Sequence, residues 1–236
     1  MNNLGDLNIK VKFLKDEDTF GFNCKICGDC CGKTLPIDLN PYDLYKILKF
    51  SGKKLIDLQD VLKMGNQNDL VLTNFVLDAY EGKCIFLKDN RCSLGLNKPT
   101  VCKLYPLGRA VKLPKNEVVY FLQIGLCEDD TNFFTLKEWK EKFNLVEDEE
   151  SFIMYSQYVK VFYGIIDIPI LKYFPREKEF LESIFIAPFR SLDVNTSFEY
   201  QIEEHYKEGL KLFKKGLEIL ADKSVLRRHD GNTNNK

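Results

Sequence analysis

The chain has little histidine and little arginine, and each shortage narrows what it can be. Its only histidines, His205 and His229, have no cysteine or histidine near them in sequence, which argues against a histidine-containing catalytic zinc site. Both read as surface or partly buried residues. Six arginines accompany 28 lysines, and 34 basic against 35 acidic residues leave a formal charge of −1. There is no basic footprint for nucleic acid. No G-x-G-x-x-G follows a strand pattern and no glycine loop cradles phosphate, so a nucleotide cofactor has no support from motif. No run approaches the roughly 18–20 apolar residues that span a bilayer. The best stretch, Val161 to Leu171, is broken by Asp167 and Pro169. The start, Met1 to Asp6, is polar and lacks a basic-then-apolar leader. The expectation is a cytoplasmic protein with neither membrane nor nucleic acid as a partner.

What is present is cysteine. All eight lie between positions 24 and 127, well below the density of a small disulfide scaffold. In a reducing compartment, clustered cysteines ligate metal more often than they form disulfides. The first four read Cys24-Lys25-Ile26-Cys27-Gly28-Asp29-Cys30-Cys31. Thiolates at this repeat on a tight turn can converge on one centre. Gly28 tolerates the positive φ that turns an N–H toward a sulfur. Their alternative role as small buried hydrophobes fits poorly with the flanking Gly, Lys and Asp.

Structural zinc usually draws one pair from each of two loops, whereas the ferredoxin run supplies three cysteines at the spacing of 24, 27 and 30. Adjacent Cys30 and Cys31 tend to diverge, which suits a second metal or a second iron. The second set is Cys84, Cys92, Cys102 and Cys127. Lys88 to Arg91 reads as a hairpin tip that would bring Cys84 and Cys92 near each other. Pro99 and Pro106 bracket Cys102 and stiffen its loop. Eight cysteines permit two four-thiolate sites. A [4Fe–4S] iron–sulfur cluster is favoured, with zinc as the alternative.

The run from Phe22 through Cys31, followed by Cys84, Cys92 and Pro99-Thr100-Val101-Cys102-Lys103-Leu104-Tyr105-Pro106, resembles the CxxCxxCC cysteine-cluster family, described as zinc- or iron-chelating. An Arg-Pro pair is expected there, where this chain has Lys98-Pro99. The resemblance covers roughly residues 20 to 130. It implies a metal ion as partner and makes all eight cysteines candidate ligands. One branch of the family, flagellin lysine N-methylase, pairs such a cluster with methyl transfer from S-adenosylmethionine. A protein-modifying enzyme acting on a protein substrate is therefore an alternative reading, and a structural zinc module for protein contacts is another.

Elsewhere the pattern predicts an α+β chain: a small cysteine-rich metal-binding domain with short strands and helices at 1–130, a helical region at 131–224, and a disordered polar tail at 225–236. Short extended pieces are expected at Val11–Phe13 and Phe20–Asn23. Asn40-Pro41 opens a helix that Gly52 closes, and a second helix is expected over Leu55–Leu62 before a turn at Gly65-Asn66. Strands are expected over Leu70–Leu77 and Val118–Ile124. Thr135 to Glu138 is a capping box ahead of Trp139 and Phe143. The acidic run Glu147–Glu150 suits a helix start, and Pro175 opens a helix through Phe185. Tyr155, Tyr158, Phe162 and Tyr163 read as core in preference to a ligand pocket. Phe198, Ile202, Tyr206, Leu210, Phe213, Leu217 and Leu220 recur at helical spacing, a stripe expected to pack on the protein's own helices.

Overall fold

The computed structural model describes residues 2–3, 10–23, 37–66, 73–78, 80, 83–112, 115–123, 131–166 and 177–230. The chain is α+β, as the pattern predicts. It divides into two compact units, 1–64 with 75–156 and 65–74 with 157–236.

In the first unit, β1 (Asn2–Asn3), β2 (Lys10–Leu14), β9 (Leu107–Lys112) and β10 (Glu117–Gln123) form an antiparallel sheet in the order β1-β2-β10-β9. β3 (Thr19–Gly21) pairs with β11 (Phe133–Thr135), setting Phe133 against Gly21. A third sheet has the order β4-β6-β5, from Ile37–Leu39, Thr73–Leu77 and Leu62–Asn66. The expected helix over Leu55–Leu62 is only a 3-10 turn at Leu55–Leu58, and β5 takes Leu62 and the expected turn residues Gly65 and Asn66. Four residues of turn repay little of the cost of nucleating a helix, and pairing with β6 uses the backbone groups beyond it.

Helix α1 (Pro41–Ser51) has the predicted ends. The Asn40 side chain accepts from the Asp43 N–H at 2.8 Å, and Gly52 closes it at φ 67°. Helix α2 (Thr100–Leu104) is one short turn in a segment whose sequence reads only as turn-rich. Helix α3 (Leu136–Lys142) carries the Thr135–Glu138 capping box, and α4 (Glu147–Ile166) opens on its four acidic residues.

The core of this unit is aromatic. Trp139 is 2% exposed and meets Phe20, Phe22, Phe134 and Phe143 at ring-centroid distances of 4.6–5.5 Å. Leu14, Leu104, Leu107, Tyr120, Leu136 and Leu145 complete the cluster. Because successive strand residues face opposite sides, Phe20 and Phe22 both reach the core from β3 and its continuation.

In the second unit, helices α5 (Glu177–Phe185) and α6 (Ala187–Arg190) pack against α7 (Phe198–Asp230). Helix α7 runs on into the segment expected as a tail, and 231–236 lie outside the described residues. The aromatic stripe packs internally: Tyr206 lies 5.9 Å from Phe162, and Phe213 lies 6.1 Å from Phe180. Tyr158 and Phe162 are buried, and the Tyr158 hydroxyl donates to the Ile184 carbonyl at 2.7 Å. These two are core residues, as expected. The side chain of Tyr163 lies outside the described residues. Among the described residues, no helix is long and apolar enough to cross a membrane.

Gly209 is what lets α7 approach Phe162. A β-carbon there would stand 2.5 Å from Cζ of Phe162, whose ring is fully buried. Alanine gains up to about 1 kcal/mol of helix propensity over glycine, whereas overpacking a filled core costs about 1–3 kcal/mol. Gly209→Ala is therefore expected to lower stability, read as an earlier denaturation midpoint for the helical signal. An unchanged or later midpoint would show that the Phe162 ring gives way.

Candidate metal centre

Of the eight predicted ligands, Cys84, Cys92 and Cys102 fall among the described residues, and none of the three is in a disulfide. Cys24, Cys27, Cys30, Cys31 and Cys127 lie outside them. Among the described residues, no group of three or more His, Cys, Asp or Glu side chains is gathered to hold a metal.

Cys84 and Cys92 are brought together in the way the sequence suggests. Strands β7 (Leu87–Lys88) and β8 (Arg91–Cys92) form a two-residue hairpin, with Leu87 opposite Cys92. Asp89 and Asn90 sit at φ 49° and 59°, the left-handed pair that a type I′ turn demands and that Asp and Asn tolerate. Phe86 and Leu94 anchor the hairpin in the core, and the Ser93 N–H donates to the Phe86 carbonyl at 2.7 Å. Both thiols are half-buried.

Burial raises the pKa of Cys84, and the nearby Cys92 adds to the rise. The backbone N–H groups of Phe86 and Leu87 oppose it by hydrogen bonding to the sulfur. Those donors offset part of the rise that burial causes, and a dication between the two sulfurs would remove the share due to Cys92. The donor set thus fits a thiophilic metal.

Cys102 stands on α2, whose first turn is built from the Pro99 carbonyl accepting from Cys102 and Lys103 at 2.9 and 3.1 Å. Where an arginine is expected, Lys98 lays its ammonium 4.9 Å above the Phe143 ring. Tyr105 stacks edge-on against Phe22 at 5.7 Å, and the Phe22 N–H donates to the Asn132 carbonyl at 2.9 Å. Phe22, beside Trp139, therefore meets both Tyr105 and the Asn132 backbone. In sequence, Cys24 follows Phe22 by two residues, Cys102 precedes Tyr105 by three and Cys127 precedes Asn132 by five.

Beneath α2 lies a charged cluster that the sequence did not reveal. Asp43, Lys46, Thr100, Lys103 and Asp148 are each 2–4% exposed. The Thr100 N–H donates to Asp43 Oδ1 at 2.7 Å and its hydroxyl donates to the same oxygen at 2.8 Å. The Thr100 oxygen then accepts from Lys46 Nζ at 3.1 Å. Asp148 Oδ2 accepts from Lys46 at 3.1 Å and from Lys103 at 2.9 Å. Burial lowers the Lys46 pKa, and the carboxylates of Asp43 and Asp148 oppose that shift. Two carboxylates and two ammoniums leave the cluster neutral when all are ionised. Asp148 also sits in the first turn of α4, where the helix dipole favours an anion.

Next to this cluster, the buried Tyr120 hydroxyl donates to Glu149, and Arg109 stacks its guanidinium 4.1 Å above Phe152 while donating to the Asp148 carbonyl at 3.3 Å. In the second unit, His205 Nε2 lies 2.9 Å from Ser191 Oγ. The serine proton is directed to the Ala187 carbonyl at 2.7 Å, so the pair is no nucleophile and base. Desolvation lowers the His205 pKa and favours the neutral ring. The side chain of His229 lies outside the described residues.

An α+β unit that holds Cys84 and Cys92 on one hairpin and Cys102 on a short helix has the features expected of a thiolate metal-binding domain. Residues 23–131 match the CxxCxxCC family, described as a putative zinc- or iron-chelating domain, which bears out the resemblance read from the cysteine spacing. The matched span takes in all eight cysteines. No curated protein and no solved structure matches the chain.

Asp148→Asn leaves Lys46 and Lys103 buried without their shared counter-charge. The expected cost is about 3–5 kcal/mol in chemical denaturation; a loss near zero would mean that water reaches the lysines. Tyr120 yields a pH test. Desolvation, reinforced by Glu149, raises its pKa, so above the unfolded value of 10.0 the unfolded chain loses a proton that the folded one keeps. Stability should fall as pH climbs past that value. Tyr120→Phe should flatten the decline, and an unchanged slope would exclude Tyr120 as its source.

Proposed function

We propose that the protein is a cytoplasmic metal-binding protein in which Cys24, Cys27, Cys30, Cys31, Cys84, Cys92, Cys102 and Cys127 hold one or two thiolate-ligated centres, iron–sulfur in preference to zinc. The observation that carries this reading is the Cys84–Cys92 hairpin, with backbone N–H groups aimed at the Cys84 sulfur, inside the span that matches a chelating family. Preference for iron–sulfur rests on the three cysteines at two-residue intervals, 24, 27 and 30, and on the absence of histidine from the set.

An iron–sulfur cluster would supply one-electron transfer or a structural cross-link, whereas a four-thiolate zinc would supply only the cross-link. The chain's own contribution is to hold the thiols where little ordering entropy remains to be lost. The type I′ turn fixes the spacing of Cys84 and Cys92, and α2 fixes Cys102. Covalent reach keeps Cys24, two residues beyond Phe22, within about 7 Å of that buried anchor.

Protein purified without oxygen is expected to be brown, with sulfur-to-iron charge-transfer bands in the visible and iron and acid-labile sulfide in the metal analysis. A colourless preparation with stoichiometric zinc would replace iron–sulfur by structural zinc, and protein that binds neither metal would overturn the reading. Chelation of the centre should also unfold the first unit, because binding energy at such sites is folding energy. Circular dichroism before and after chelation checks this.

A further inference from the structure

The charged cluster beneath α2 is costly, and stability alone does not account for it. Buried ion pairs of this kind are often matched or bettered by apolar side chains of the same volume. What an apolar replacement cannot do is fix orientation by directional bonds. Here the bonds fall on the two residues that flank Cys102 within a single helical turn. Thr100 is held through both its N–H and its hydroxyl by Asp43 of α1, at 2.7 and 2.8 Å. Lys103 is held by Asp148 of α4 at 2.9 Å. Lys46 ties these two anchors into one frame, bonding Thr100 and Asp148 at 3.1 Å each. At about 100° per residue, Thr100 and Lys103 share one side of the turn. Cys102 lies well round from both, half-buried where they are buried.

We propose that Asp43, Lys46, Thr100, Lys103 and Asp148 are positioning residues that clamp the inner side of α2 and so fix the direction from which the Cys102 thiolate approaches the metal. The inference rests on the metal-binding reading above and deepens it. It assigns a purpose to charges that nothing in the ligand set requires. It also separates Cys102, held by side chains from two distant helices, from Cys84 and Cys92, held by a local hairpin.

The test uses the full-length protein as purified without oxygen, with its own metal. Thr100→Val keeps the shape and removes the hydroxyl, while Thr100→Ser restores it. The readouts are the rate at which bound metal is lost to excess chromophoric chelator and the circular dichroism of the sulfur-to-metal bands. Thr100→Val should release metal about 10–100-fold more readily, the range for partners that orient ligands. It should also change the shape of those bands, and Thr100→Ser should recover both. In Lys46→Met/Lys103→Met/Asp148→Leu, an apolar frame, the folded far-ultraviolet signal should persist while the metal bands change. If this triple variant fails to fold, Thr100→Val still decides. Wild-type release and unchanged bands in Thr100→Val, with metal bound, would overturn the positioning role alone. Wild-type protein that takes up no metal would overturn the metal-binding reading and this inference together, before any variant is made.

Discussion

Asp148 accepts from Lys46 and Lys103 inside the first unit, and burial makes each of these three groups costly in the absence of the others. That mutual dependence makes helix α1, the short turn α2 and the start of α4 a single construction. Lys46 arrives from α1, Lys103 from α2 and Asp148 from α4, and none could be buried before its partners. Thr100 joins the group through a neutral hydroxyl that donates to Asp43 and accepts from Lys46. The arrangement tolerates few alternatives, because a rotated α2 would strand at least one charge.

The aromatic cluster packs against the end of the same turn, through Leu104 and Tyr105. Trp139 gathers Phe20, Phe22, Phe134 and Phe143, and Phe22 in turn meets Tyr105 at the end of the Cys102 segment. Hydrophobic contact brings Phe22, Trp139 and Tyr105 close but does not orient them, since it is not directional. Ionic bonds orient but do not by themselves favour assembly. The unit uses contact to gather its segments and charge to aim α2.

Local features were legible in the sequence, and distant ones were not. The Asn40 cap, the Gly52 stop, the Thr135 capping box, the Lys88–Arg91 hairpin tip and the stripe on α7 each depend on residues within a few positions of one another. The helix expected over Leu55–Leu62 failed because a pairing with β6, invisible locally, competes for the backbone there. The charged cluster was missed for the same reason. Thr100 and Asp43 are 57 residues apart and Lys46 and Asp148 are 102 apart. In the sequence Lys46 looks like any solvated lysine. The only signal was a pair of opposite charges, Asp43 and Lys46, set among the apolar positions Leu44, Ile47 and Leu48 of a short helix. Of the candidate site, the cysteines were evident from spacing, but the bonds that hold α2 were not.

The two-residue turn at Asp89-Asn90 has a consequence for the chain entropy lost on folding. Cys84 and Cys92 close a loop of eight residues, whereas Lys46 and Asp148 close one of 102. Loop entropy grows as the logarithm of length, so the longer closure costs about 2 kcal/mol more. The hairpin closure therefore costs less chain entropy than the joining of α1, α2 and α4. The Cys84–Cys92 pair thus depends on local sequence, whereas the placing of Cys102 depends on closing the longer loop.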